Sequence, residues 1–163
     1  MNFNFEKWVK KLNKLLMNPD YRNQMSKKGY SPLNFDVDSK IQAIDMAIKL
    51  SNFFEKRGYE VYWRRSSSGR GFHFTIMKDG KQAYFLVGKA LFFREKFGDC
   101  RGRLRCDKLR NKYSKLGTGI LFNIKNGKFS GEWKRLELDK FIKMVQEDIK
   151  KDYKRITIND FVR

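Results

Sequence analysis

The chain has 163 residues, of which 40% are apolar and 15% aromatic, enough for a packed core and too many for wholesale disorder. Its 37 Lys and Arg against 18 Asp and Glu leave a net charge of +19, which calls for a polyanionic partner. No apolar run approaches the roughly 18 residues that cross a bilayer, so nucleic acid is favoured over membrane, and with no secretory leader the expected setting is intracellular (cytoplasmic).

One domain is expected over residues 1–163: an N-terminal helix and basic connector (1–32), a core (33–133) and a C-terminal helix with a tail (134–163). Residues 4–17 read as a helix with Trp8, Leu12, Leu15 and Leu16 on one face, stopped by Asn18-Pro19-Asp20. Residues 20–31 are polar and basic. Residues 33–38 read as a strand, and the period of two puts Asp36 and Asp38 on one face and Phe35 and Val37 on the other. Ser39 with Gln42 is a capping-box signature for a helix with Ile41, Ile44, Ile48, Ser51 and Phe54 as its stripe, ending at Gly58.

Residues 59–64 read as a strand, 66–71 as a Ser/Gly turn, and 72–77 as a strand alternating Phe72, Phe74 and Ile76 with His73, Thr75 and Met77. Lys78-Asp79-Gly80-Lys81 is a hairpin turn, and 82–87 is the returning strand. A short helix is expected over 90–97. Residues 103–107 alternate as a strand, with Arg103, Arg105 and Asp107 on one face and Leu104 and Cys106 on the other. A strand over 119–125, a turn at Asn126-Gly127 and an amphipathic helix over 139–155 (Leu138, Ile142, Val145, Ile149) complete the chain. This order predicts an α+β two-layer sandwich, its helices on one face of an antiparallel or mixed sheet. In a ferredoxin-like unit the strand of Asp36 and Asp38 lies near that of His73.

The single His excludes a Cys/His zinc centre built on Cys100 and Cys106, and it excludes two-histidine metal centres. Two aspartates beside an apolar strand face suit a hard divalent cation, Mg²⁺ or Mn²⁺, with Asp107 as candidate third carboxylate. The same pattern also suits a solvated strand end before a helix N-terminus. The turn of Ser67, Ser68, Gly69, Arg70 and Gly71, with small side chains, lets backbone N–H groups approach an anion. His73 can donate to a phosphate or ribose hydroxyl, and Arg110 and Lys125 are further phosphate candidates. Arg64, Arg65, Arg103 and Arg105 are candidate nucleic-acid contacts, and Trp63 is a candidate for stacking on bases.

Three short motifs in order, Phe35-Asp36-Val37-Asp38, Ser67-Ser68-Gly69-Arg70-Gly71-Phe72-His73 and Arg103-Leu104-Arg105-Cys106-Asp107, resemble the archaeo-eukaryotic primase superfamily. Asp107-Lys108-Leu109-Arg110-Asn111, followed by a strand and Trp133, resembles the polymerase domains of bacterial end-joining ligases within it. The resemblance covers about residues 33–133. It implies an RRM-like catalytic sheet, two divalent ions held by Asp36, Asp38 and Asp107, an incoming NTP or dNTP held by His73 and basic residues, and template-directed nucleotidyl transfer on a DNA template or primer. The zinc element of replicative primases cannot be built here, so two expectations stand: a helicase or primase accessory subunit assists initiation, or the protein extends primers without starting them. The competing expectations are a non-catalytic basic RRM-like module that binds nucleic acid and, behind it, a metal-dependent nuclease.

Overall fold

The computed structural model describes residues 24–113, 119, 121, 124–125 and 128–161. The helix expected over 4–17, its stop at Asn18-Pro19-Asp20, the first part of the connector and the turn at Asn126-Gly127 lie outside these. The chain order is β1 (Tyr30–Pro32), β2 (Asn34–Val37), α1 (Lys40–Phe54), β3 (Glu60–Arg65), β4 (Phe72–Lys78), β5 (Lys81–Gln82), β6 (Tyr84–Leu86), α2 (Val87–Phe97), α3 (Arg101–Tyr113), β7 (Ile124–Lys125), β8 (Lys128–Phe129), β9 (Lys134–Arg135) and α4 (Leu138–Phe161). It is a two-layer α+β fold. The main sheet is antiparallel with strand order β2-β4-β3-β9, and β5 continues the pairing of β4. In β2-α1-β3-β4 the hairpin strand β4 lies between β2 and β3, as in the split unit of ferredoxin-like folds. The fourth strand, β9, pairs with β3.

Alternation sorts the side chains of this sheet. Phe35 and Val37 from β2, Val61 and Trp63 from β3, and Phe72, Phe74 and Ile76 from β4 enter one apolar core. Ala43, Met46, Ala47, Leu50 and Phe54 of α1, Ala90, Phe93 and Phe97 of α2, and Phe141 and Val145 of α4 cover that face. Phe141 sits over the sheet with its ring 5.0 Å from Trp63, 5.4 Å from Phe72 and 5.6 Å from Phe74.

Helix α1 begins where the capping signature puts it, with Ser39 Oγ accepting from the Gln42 N–H. Its buried face matches the expected stripe only in part: Ser51 and Phe54 are buried and Ile44 packs against the core. Ala43, Met46, Ala47 and Leu50 point inward, while Ile41 and Ile48 are 72% and 38% exposed. Apolar residues lie on several sides of this helix, so periodicity admitted two faces. The small Ala43 and Ala47 allow the closer approach of backbone to sheet, with Met46 and Leu50 filling the space beside them.

Two further expectations are corrected. The strand expected over 82–87 breaks at Ala83: Lys81–Gln82 stays on β4, Tyr84–Leu86 pairs with Tyr30–Pro32 as a separate ribbon, and Val87 already belongs to α2. The strand expected over 103–107 is instead helical, inside α3. The five alternating residues contain no β-branched side chain, and Arg and Leu favour helix. Leu104 packs there with Val87 and Leu91 of α2. Of the strand expected over 119–125, Ile124–Lys125 pairs with Lys128–Phe129. The hairpin at residues 78–81 forms with Lys78 opposite Lys81, and Asp79 and Gly80 take the positive φ of 51° and 73° that a two-residue turn requires.

Phe54 is 1% exposed, and five aromatic rings lie within 6.2 Å of its own. Phe54→Ala is expected to lower stability by about 3–5 kcal/mol, read as a reduced urea midpoint with unchanged slope.

Candidate functional site

The second face of the sheet is polar. Across the register, Asp36 of β2 lies opposite His73 of β4, and His73 lies opposite Arg64 of β3, so three chemically active side chains form one row. One step along, Asn34 lies opposite Thr75, whose hydroxyl donates to Asn34 Oδ1 at 2.6 Å, and Gln82 donates to the same oxygen at 3.0 Å. Asn34 Nδ2 donates to the Gly119 carbonyl at 2.7 Å, so Gly119 lies against this end of the face.

A pocket of about 240 Å³ opens beside the row, lined by Asp36, Asp38, Ser66, Ser67, Ser68, His73, Arg103, Cys106, Arg110 and Leu121. The structure thus brings the first carboxylate pair, the serines of the turn, the histidine and two arginines to one place. They come from β2, the 66–71 turn, β4 and α3.

Gly71 explains why the turn lies so close to the aspartates. A Cβ there would stand 2.5 Å from the Val37 carbonyl oxygen, so only glycine allows the approach. Within the turn Ser66 N–H donates to Gly71 O, Gly69 N–H to Ser66 O, Arg70 N–H to Ser68 Oγ and Gly71 N–H to Ser66 Oγ. Those four donors are engaged, so the expected cradle of backbone N–H groups shrinks. The serines line the pocket, whereas Gly69 and Arg70 line the neighbouring groove instead.

His73 is 5% exposed and its Nδ1 accepts from Arg64 Nε at 3.0 Å. Burial, then the charges of Arg64 and Arg103, hold the imidazole down to about 3. The ring is neutral at working pH, and since Nδ1 accepts, its proton is on Nε2. That nitrogen lies 3.6 Å from Asp36 Oδ1. Arg64 is itself 4% exposed, its guanidinium 4.4 Å above the Trp133 ring, with burial pulling it down to about 10 against the opposing charge of Asp36. It remains charged and orients His73. Its expected role as a nucleic-acid contact is therefore corrected: it is buried behind the histidine. Trp63, expected to stack on bases, belongs to the core instead.

The other arginines separate by the same criterion. Arg65 pairs with Asp148 at 2.8 Å and ties β3 to α4. Arg105 is exposed and does not line the pocket, because in a helix it no longer shares a face with Arg103 and Asp107. Arg103 and Arg110 line the pocket, and the side chain of Lys125 lies outside the described residues.

Asp107 is the main correction. Its carboxylate is 1% exposed and accepts from Arg94 Nη1 at 2.6 Å, the Gly119 N–H at 3.0 Å and Arg110 Nη1 at 3.4 Å. Both oxygens are engaged by donors, so this acid serves a buried ion-pair network rather than a cation shared with Asp36 and Asp38. Among the described residues no group of three or more His, Cys, Asp or Glu is placed to hold a metal ion. Among the described residues that line the pocket, the carboxylates are Asp36 and Asp38.

Sequence reading missed Asp99 and Arg94, which set the position of Asp36. Asp99 Oδ1 accepts the Asp36 N–H at 2.7 Å, and the Cys100 N–H donates to the Asp36 carbonyl at 3.0 Å. Arg94, fully buried, bridges Asp99 and Asp107, and Arg103 Nη1 donates to Asp99 and to the Asn34 carbonyl. The one available signal was Gly98 as a helix stop, which takes φ 90° and leaves Asp99 at the α2–α3 corner.

Two consequences are measurable. Removing one partner of a buried ion pair costs about 3–5 kcal/mol, so Asp107→Ala is expected to destabilise the protein by that order in urea denaturation. As pH falls from about 6.5 towards 3, the unfolded chain binds a proton that folded His73 does not, so stability falls through that window and this residue adds no pH dependence above it. Between about pH 7 and about pH 5 wild type should lose roughly 2 kcal/mol more than His73→Gln; equal losses would show a protonated imidazole in the folded state.

No family model matches this chain, and neither a curated protein nor a solved structure is significantly similar to it.

Proposed function

We propose that this chain is a metal-dependent nucleotidyltransferase of the primase-polymerase type, acting on a DNA template or primer with NTP or dNTP. The observation that carries the reading is the content of one pocket: two carboxylates beside hydroxyl, imidazole N–H and guanidinium donors. Carboxylates alone would suit many cations, and cationic donors alone would suit any phosphate. Together they suit a nucleoside triphosphate with its divalent ion.

Asp36 and Asp38 would hold Mg²⁺ or Mn²⁺. Magnesium dehydrates reluctantly and is held by one or two carboxylates plus substrate phosphates, so two aspartates are a sufficient protein share without Asp107. When bound, such an ion neutralises phosphoryl charge and makes an attacking hydroxyl more acidic. Arg103, Arg110 and the serine hydroxyls take phosphate oxygens, and His73 donates from Nε2 to a phosphate or ribose oxygen. Arg64 keeps the His73 tautomer fixed, and Asp99 with Cys100 fixes the backbone that carries Asp36. A helicase or accessory subunit fits where strand opening or initiation exceeds this core. The role is an intracellular one; among the described residues no helix is long and apolar enough to cross a membrane.

A second reading, a basic nucleic-acid-binding module without catalysis, is favoured by one observation, the commitment of Asp107 to buried ion pairs.

The test is nucleotide incorporation on primed and unprimed single-stranded templates with Mg²⁺ or Mn²⁺. Wild type is expected to form metal-dependent product, and Asp36→Ala/Asp38→Ala to lose it by about a hundredfold or more. Template binding without product under every metal would support the binding module, and strand cleavage without added nucleotide would support a nuclease.

A further inference from the structure

A groove of about 740 Å³ runs alongside the pocket and meets it at Asp38 and Ser68, which line both. Its walls are the first turn of α1, the 66–71 turn and the C-terminal part of α4, which contribute Lys40, Ile41, Arg70, Tyr153 and Arg155. Ion pairs of Lys40 with Asp152 and of Arg65 with Asp148 join α4 to the rest of the fold, so the two walls are held together.

The chemistry of this groove differs from that of the pocket. Tyr153 and Ile41 are 71% and 72% exposed, and Arg70 and Arg155 are exposed beside them. Ile41 and Tyr153 stand on the outer sides of helices whose other faces are buried in the core. An aromatic ring flanked by cations is a stacking platform for an unpaired base with its phosphates. Arg70, expected at the triphosphate, is directed here instead.

From these placements we infer that the groove seats the single strand on which the pocket acts, a base stacking on Tyr153 and flanking phosphates taken by Arg70 and Arg155. The inference rests on the nucleotidyltransferase reading for the role of the strand, while its location rests on the groove alone. Continuity through Asp38 brings the bound strand to the carboxylates. An acidic peptide would also meet the cations, but it has no use for an opening onto Asp36 and Asp38.

The experiment is fluorescence anisotropy of a labelled single-stranded oligonucleotide over a range of salt concentrations, with incorporation measured on the same preparations. Tyr153→Ala is expected to weaken binding about 5- to 150-fold, the range that loss of one stacked base covers, and Tyr153→Phe to restore it. Arg70→Ala/Arg155→Ala is expected to reduce the slope of log affinity against log salt by about 1.4, two phosphates at about 0.7 each. Lys89→Ala/Lys96→Ala, on the exposed side of α2, removes the same charge and should leave the Tyr153-dependent part intact. Tyr153→Ala binding like wild type, or a duplex competing as well as single strand, overturns the groove assignment even if incorporation is robust. Groove-dependent binding without incorporation under any metal would sustain the groove and overturn the catalytic reading.

Discussion

The Arg94 guanidinium, wholly buried between two carboxylates, is the constraint on which the site depends. It holds Asp99 at 2.7 Å and Asp107 at 2.6 Å, and so fixes the α2–α3 corner against the sheet. A buried charge unpaired in this way would cost several kcal/mol, so the three groups form or fail together. The consequence reaches β2. As an edge strand, β2 exposes backbone groups on its outer side, and the corner covers them: Asp99 accepts from Asp36, Cys100 donates to it, and Arg103 donates to Asn34. The edge is thereby closed to further pairing, and the backbone of the first pocket aspartate is held at both its N–H and its carbonyl.

The sheet then divides the molecule by the chemistry of its faces. The face toward α1, α2 and α4 is filled with aromatic and aliphatic side chains. The opposite face carries the Asp36, His73 and Arg64 row, the Asn34, Thr75 and Gln82 cluster, and a small apolar patch of Tyr62, Met77 and Trp133. Burying so many polar groups requires that each find a partner. The pairing of Arg64 with His73 meets that requirement while leaving the Nε2 proton of the histidine directed at the pocket.

Charge is arranged on two scales. The excess of +19 makes the field of the surface as a whole positive. Locally, several of the arginines that look most available in the chain are structural: Arg94 and Arg64 are buried, and Arg65 joins β3 to α4. Arg110 at the pocket, and Arg70 and Arg155 at the groove, keep exposed guanidinium groups there, while Arg103 lines the pocket but is tied to Asp99 and the Asn34 carbonyl.

Much of this was legible in the chain because it depends on local rules. Alternation alone put Asp36 opposite the apolar face of its strand, Ser39 announced α1, and Asp79-Gly80 set the hairpin that brings β5 back beside β4. The two-layer α+β class followed from the element order. Residues 103–107 were not legible, since five alternating residues fit a strand as well as a helix until Leu104 has α2 to pack against. With the helix came a different set of neighbours, which left Arg105 off the pocket and turned Asp107 from candidate ligand to ion-pair partner. The stripe of α1 was ambiguous for a related reason, because which apolar face is buried depends on how closely Ala43 and Ala47 let the helix approach the sheet. The sequence by itself therefore determined which residues share a strand face and where the turns fall, which are matters of backbone geometry. Only the tertiary structure decided which charges are buried against one another and which remain for a ligand, because that depends on contacts between residues far apart in the chain.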